Sequence, residues 1–159
     1  MGKSSVILLV MCLDELLMQS IIHENGEILD VFGSFLQEGA EPGVCAQSKL
    51  REVMEDDYRV EPNGKILDHI EKPEASVVLL VYVFKVTLSQ KQKSNLTLKK
   101  GQLWVSRADI ASDARVRYGD KLLFERGFID GPMNIELSED QYGKWIDAKL
   151  TSWEEKPYD

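Results

Sequence analysis

The 159-residue chain has only two cysteines and two histidines. Cys12 and Cys45 form no Cys-x-x-Cys pair, which excludes a zinc ribbon and a thioredoxin-like redox motif. One disulfide is formally allowed, but two reduced thiols in an intracellular protein are the expectation. His23 and His69 have no partner at ligand spacing and read as structural or surface residues. Basic residues are also in deficit, 19 Lys and Arg against 27 Asp and Glu, for a net charge of -8. That balance excludes broad, unspecific nucleic-acid binding, which needs clustered cations to replace phosphate counterions. It does not exclude a small anionic substrate, because a bound divalent cation reverses the local field. No apolar run approaches the roughly 20 residues of a spanning helix. The longest, VILLVMCL at 6–13, follows Lys3 as a signal-peptide core would. Asp14 and Glu15 follow at once and no small-residue cleavage pattern appears, so a buried strand and a cytoplasmic location are expected. There is no P-loop, nucleophile elbow, internal repeat or low-complexity tract. The NLT triplet at 95–97 matches a glycosylation acceptor by pattern only.

What the chain does contain is an ordinary globular mixture, 43% hydrophobic and 29% charged. Its length suggests one domain. Val6 to Met11 reads as a central strand. Asn25-Gly26 is a hairpin signal, because both residues tolerate positive φ. Residues 33–43, with three glycines and a proline, read as a long loop. A helix is expected from Pro42 to Asp57. Ala46, Leu50, Val53 and Met54 fall on one side of it, with Ser48, Glu52, Glu55 and Asp56 on the other. Strands are expected at 65–72, 75–88 and 103–106, a polar surface loop at 89–102, and a short helix or turn at RADIAS. A second helix is expected at 118–128, and a third at about 138–150.

The stretch LREVMEDDY, 50–58, concentrates Glu52, Glu55, Asp56 and Asp57 directly after Arg51. Acids opposite an apolar helix face usually form a solvated surface. Carboxylates related by i+3 and i+4 also converge on one patch, however, and offer the hard oxygens that Mg²⁺ requires.

Arg51 to Arg59 resembles the second half of the Nudix box. Arg51 and Glu52 match its Arg-Glu, Val53 its aliphatic position, and Glu55 with Asp56 its acidic pair. The first half departs from the pattern. Gly43 stands where the box glutamate is expected, and Tyr58 replaces the closing glycine. Glu41 is one candidate for the displaced glutamate, and Glu38 is the other. FGSFLQEG, 32–39, resembles the corresponding segment of MutT-like purine nucleotide sanitisers.

The resemblance implies an α+β fold, an α/β/α sandwich with a mixed sheet. It implies one Nudix-like domain over 1–159, with a core of about 4–128 and an extension at 129–159. It further implies hydrolysis of a pyrophosphate bond in a nucleoside diphosphate derivative, such as a modified nucleoside triphosphate, with Mg²⁺ or Mn²⁺. Glu52, Glu55, Asp56 and Glu41 would hold the metal. Glu52 is also a candidate base, and Arg51 would orient the loop carboxylate. Asp120, Trp104 and Phe32 would contact substrate. Asp120 has a plainer role as a helix N-terminal acid, and Trp104 as packing. The partners implied are a small nucleotide or other pyrophosphate, and a second copy of the chain, since Nudix dimers are common. Neither a membrane nor an extended nucleic acid is implied. The gap in the box motivates an alternative: a Nudix-fold module that binds a nucleotide or a protein without efficient hydrolysis.

Overall fold

The computed structural model describes residues 3–24, 26–55, 57–139 and 145–150. Its centre is strand β1 (Lys3–Cys12), rich in Val, Ile and Leu and buried on both faces over most of its length. β1 runs parallel to β6 (Val77–Thr87), the second long β-branched run. It runs antiparallel to β2 (Glu15–His23) at one end and to β4 (Phe32–Phe35) at the other. β2 turns into β3 (Gly26–Asp30) as an antiparallel pair, with His23 opposite Gly26 at φ 123°. This is the hairpin expected at Asn25-Gly26, although Asn25 itself lies outside the described residues. β5 (Glu61–Ile70) pairs antiparallel with β6 and parallel with β8 (Met133–Glu139), which pairs antiparallel with β9 (Trp145–Leu150). β7 (Gln102–Ser106) lies on β2. Among the described residues the result is one nine-stranded mixed sheet.

Helices cover both faces, as the sandwich expectation required. Helix α1 (Pro42–Val53) packs Ala46, Leu50 and Val53 onto Val6, Leu8, Val10, Phe84 and Val86. The other face carries α3 (Arg107–Ser112) and α4 (Tyr118–Gly127). Ile110 and Phe124 pack there with Leu9, Ile66, Val83 and Ile135. Alternation along each strand sends successive side chains to opposite faces, so one strand supplies both cores.

Four expected elements differ. The loop predicted over 33–43 begins as strand, because β4 continues to Phe35. The helix predicted to Asp57 ends at Val53, with Met54 extended. The basic loop contains a short helix, α2 (Gln90–Asn95), closed by a capping box between Ser89 and Gln92. The helix predicted near 138–150 is replaced by β8 and β9. Met133, Ile135 and Leu137 alternate into the core, so the segment after residue 128 contributes to the main sheet. No helix among the described residues is long and apolar enough to cross a membrane.

Candidate functional site

A cleft of about 650 Å³ opens between α4 and the sheet. That volume lies in the range of small-molecule sites. Its floor crosses four adjacent strands: Ser5 and Ile7 of β1, Leu79 and Val81 of β6, Ile66, Asp68 and Ile70 of β5, and Leu137 of β8. Leu123 and Phe124 of α4 form one wall. Gly33 of β4 also lines it. A Cβ there would stand 2.9 Å from the Val6 carbonyl oxygen, so the glycine permits the close β1–β4 approach. Phe35, 75% exposed, offers an apolar ring at the cleft.

The polar lining comes from distant parts of the chain. Asp30 ends β3, and its Oδ1 accepts the Val31 N–H at 2.8 Å. Asp120 lies in the first turn of α4, where the helix dipole favours an acid. Arg117, just before α4, ties the two together. Its Nε donates to Asp120 at 2.7 Å and its Nη2 to Asp30 at 3.0 Å. Burial pushes the Asp30 carboxyl above its ordinary value, and the Arg117 charge and the Val31 N–H oppose that rise. Gln19 and Ser34 also line the cleft, and Gln19 Nε2 donates to the Val31 carbonyl at 3.3 Å.

Asp68 lies deeper, at 8% exposure the one buried charged residue among those described. Strand alternation puts it on the face of Ile66 and Ile70, opposite Leu79 on β6 and Leu137 on β8. A carboxylate set among four aliphatic neighbours is expensive to keep dry.

The acidic segment occupies a different place. No residue of α1 lines the cleft. Arg51 and Glu52 close the helix on its exposed side, and Glu55 follows in the bend beyond it. The Glu52 carboxylate, 69% exposed, stands 3.3 Å from the Lys49 ammonium. The terminal carbonyls are capped from afar: Lys99 Nζ donates to Glu52 O at 2.6 Å and Gln102 Nε2 to Val53 O at 2.9 Å. Arg51, expected to orient a loop carboxylate, instead lies 3.7 Å from Asp57.

Glu52 and Glu55 supply carboxylate oxygens at the negative end of a helix, a donor chemistry suited to a hard divalent cation. Asp56 lies outside the described residues. Among the described residues no three His, Cys, Asp or Glu side chains stand close enough together to hold a metal. Glu41 does not fit as their partner. It is the residue before the first turn of α1, about 16 Å from Glu52 along the helix axis.

Of the residues expected to contact substrate, Asp120 lines the cleft and two do not. Phe32 is 3% exposed and packs in the α1 core, because β4 directs alternate side chains to opposite faces. Trp104 packs against the same core with Lys93 Nζ 5.2 Å from its ring centroid. Asp30, Asp68 and Arg117 were not anticipated. A signal for Asp68 was present: in KILDHI it breaks an apolar alternation on the buried face. For Arg117 and Asp30, separated by 87 residues, no local signal exists.

No family model and no curated protein matches the sequence. Solved structures do. A mutator MutT protein from Bacillus halodurans superposes with a TM-score of 0.72 at 13% identity, covering 93% of this chain and 97% of that one. The C. elegans Ap4A hydrolase gives 0.55 at 10% identity, covering 80% of this chain and 96% of that one. The C-terminal domain of mouse MUTYH, solved in complex with human PCNA, gives 0.57 at 15% identity, covering 78% and 86%. At these identities the likeness is one of backbone, and on that ground the chain has the Nudix fold.

Proposed function

We propose that this chain hydrolyses a pyrophosphate bond in a nucleoside diphosphate derivative whose base occupies the cleft. The observation that carries the proposal is the cleft itself. It combines an aliphatic floor, an exposed aromatic ring at Phe35 and a ring of polar groups at Asp30, Arg117, Asp120 and Gln19. A flat heterocycle with polar edges needs that combination of apolar faces and oriented acceptors and donors. The neighbours named MutT and Ap4A hydrolase share the fold and give the proposal its reaction class.

In this proposal Glu52, Glu55 and Asp56 hold Mg²⁺ or Mn²⁺. When bound, such a cation offsets phosphate charge and acidifies a water. The chain's own part is binding and orientation. Apolar side chains exclude water from the base, and Asp30, Arg117 and Asp120 orient its edge. The connection Leu36–Glu41 joins the cleft strand β4 to the start of α1, whose far end carries the acidic segment.

A second function is favoured by one observation: the cleft and the α1 carboxylates lie on opposite faces of the sheet, with Glu52 beside Lys49 and Arg51 beside Asp57. Under it the chain binds a nucleotide or a protein and does not turn it over. Phosphate release from a panel of nucleotides, with added pyrophosphatase, separates the two. It is run with Mg²⁺, with Mn²⁺ and with EDTA, beside Glu52→Gln. Metal-dependent release lost in the variant supports hydrolysis. Nucleotide binding with no release under any condition supports the binding module.

A further inference from the structure

We propose that Lys99 is a positioning residue for the divalent cation: its ammonium holds the backbone of the turn that presents Glu52 and Glu55, so that removing it loosens the cation even though a positive charge is lost. The inference rests on the proposal that Glu52, Glu55 and Asp56 hold the cation, and adds which side chain outside the acidic segment presents them.

Two carboxylates share one cation only when the backbone between them holds them at the right separation. Between Glu52 and Glu55 the chain leaves helical geometry, with Met54 extended at φ -145° and ψ 150°. Helix periodicity therefore does not set the separation of the two acids. The turn is fixed from outside instead. On its near side Lys99 Nζ donates to the Glu52 carbonyl at 2.6 Å, and Gln102 Nε2 to the Val53 carbonyl at 2.9 Å. On its far side Gln47 Nε2 donates to Asp57 Oδ1 at 2.8 Å.

The segment that brings Lys99 there is itself well tied. The Lys99 N–H donates to Gln102 Oε1 at 3.0 Å, and the Gln102 N–H donates to the Lys99 carbonyl at 3.0 Å. Gly101, at φ 86°, accepts the Ser20 N–H on its carbonyl at 2.8 Å. One amide thus serves both partners: the Gln102 oxygen takes the Lys99 N–H while its nitrogen holds Val53. Lys99 and Gln102 form a single clip between the start of β7 and the end of α1.

The two effects of Lys99 on a cation have opposite signs. As a charge, an ammonium on the backbone of a ligand residue repels a divalent cation. As a hydrogen-bond donor it orders the turn in advance, and ordering that is already present does not subtract from affinity when the ligand binds. A lysine at a helix carboxyl end also has a plain role, because the dipole favours a cation there. Charge alone predicts tighter cation binding on removal of Lys99. The plain role predicts a lower Tm and no loss of affinity. Positioning predicts looser binding.

The test titrates Mn²⁺ alone, without substrate, and follows it by electron paramagnetic resonance at low and at high salt. The full chain is compared with Lys99→Met, Lys99→Arg and Gln102→Met. Lys99 is exposed, so its variants are expected to fold. Lys99→Met is expected to weaken Mn²⁺ binding by about tenfold. The loss is expected to persist at high salt, where effects of exposed charge are screened. Lys99→Arg keeps a donor and is expected to keep the affinity. Gln102→Met opens the same clip without any change of charge and is expected to loosen Mn²⁺ as well. Tighter or unchanged binding in Lys99→Met overturns the inference, and so does a loss that Lys99→Arg fails to restore. A wild type that does not bind Mn²⁺ overturns both the inference and the cation site on which it rests. Phosphate release is scored separately. Mn²⁺ binding that depends on Lys99, without release, leaves Lys99 in its role and removes the pyrophosphohydrolase. Metal-dependent release with Mn²⁺ binding indifferent to Lys99 does the reverse.

Discussion

The Arg117 guanidinium donates to the Asp30 carboxylate at 3.0 Å, joining the start of α4 to the end of β3 across 87 residues of sequence. Burial holds Asp30 above its ordinary carboxylate value, and Arg117 is the charge that limits the rise. Arg117→Met removes that charge, so the Asp30 midpoint moves up further. The sign for stability follows. A carboxyl with a folded pKa above its unfolded value contributes stability at low pH, which is lost as pH rises through the folded value. The deficit of the variant is therefore greatest near neutral pH and shrinks on acidification through the Asp30 titration. Carboxyl carbon NMR shifts and denaturant melts at several pH values measure both. An unchanged Asp30 midpoint would contradict the pairing.

The carboxyl end of α1 depends on a side chain 49 residues away, Gln102, whose amide donates to the Val53 carbonyl. Gln102→Ala leaves that terminal carbonyl without its side-chain donor. The expected cost is about 1 kcal/mol. In a domain of this size that lowers Tm by about 2–4 °C. A thermal melt followed by circular dichroism reads it. No change would mean that water replaces the amide without loss.

This cap also explains which parts of the fold were legible in the sequence. β1 and β6 were readable because Val, Ile and Leu fill them, and burial on both faces demands such runs. The apolar face of α1 was readable from Ala46, Leu50, Val53 and Met54, all of which are buried. Its end was not, because Lys99 and Gln102 reach it from the far side of the chain. β8 was obscured by its charges, although Met133, Ile135 and Leu137 alternate with Asn134, Glu136 and Ser138. The helix α2 had a local signature, Ser89 and Gln92 at capping-box spacing, hidden in a run of lysines. In the cleft, only Asp120 was foreseen. Asp30 and Arg117 acquire their relationship through tertiary structure, and periodicity carries no information about it.

Gly64 sits in the bulge of β5, at φ 108°, with Met133 of the neighbouring strand β8 paired beside it. An added Cβ would lie 2.1 Å from the Met133 carbonyl oxygen and 2.6 Å from its nitrogen. Both atoms are backbone and cannot swing aside. Gly64→Ala therefore combines a strained φ with separation of β5 from β8. A loss of about 3 kcal/mol or more is expected, in the class of severe single substitutions. Urea denaturation of the variant measures it. A loss below about 1 kcal/mol would show that β8 can shift without disturbing the sheet.

The two ends of α1 make separable predictions about cation binding. Glu41 and Glu52 are about 16 Å apart along the axis, further than one Mg²⁺ at about 2.1 Å from each ligand oxygen can bridge. If Glu52, Glu55 and Asp56 hold the cation, Glu52→Gln and Glu55→Gln each weaken Mn²⁺ binding by about tenfold or more, while Glu41→Gln leaves it unchanged. Electron paramagnetic titration with Mn²⁺ reads the affinity directly, without any substrate. Equal weakening by Glu41→Gln would require the Leu36–Glu41 connection to fold over the helix end when the metal binds. Indifference of Mn²⁺ binding to all three substitutions would leave LREVMEDDY as a solvated acidic surface. It would then favour the nucleotide- or protein-binding module over the hydrolase.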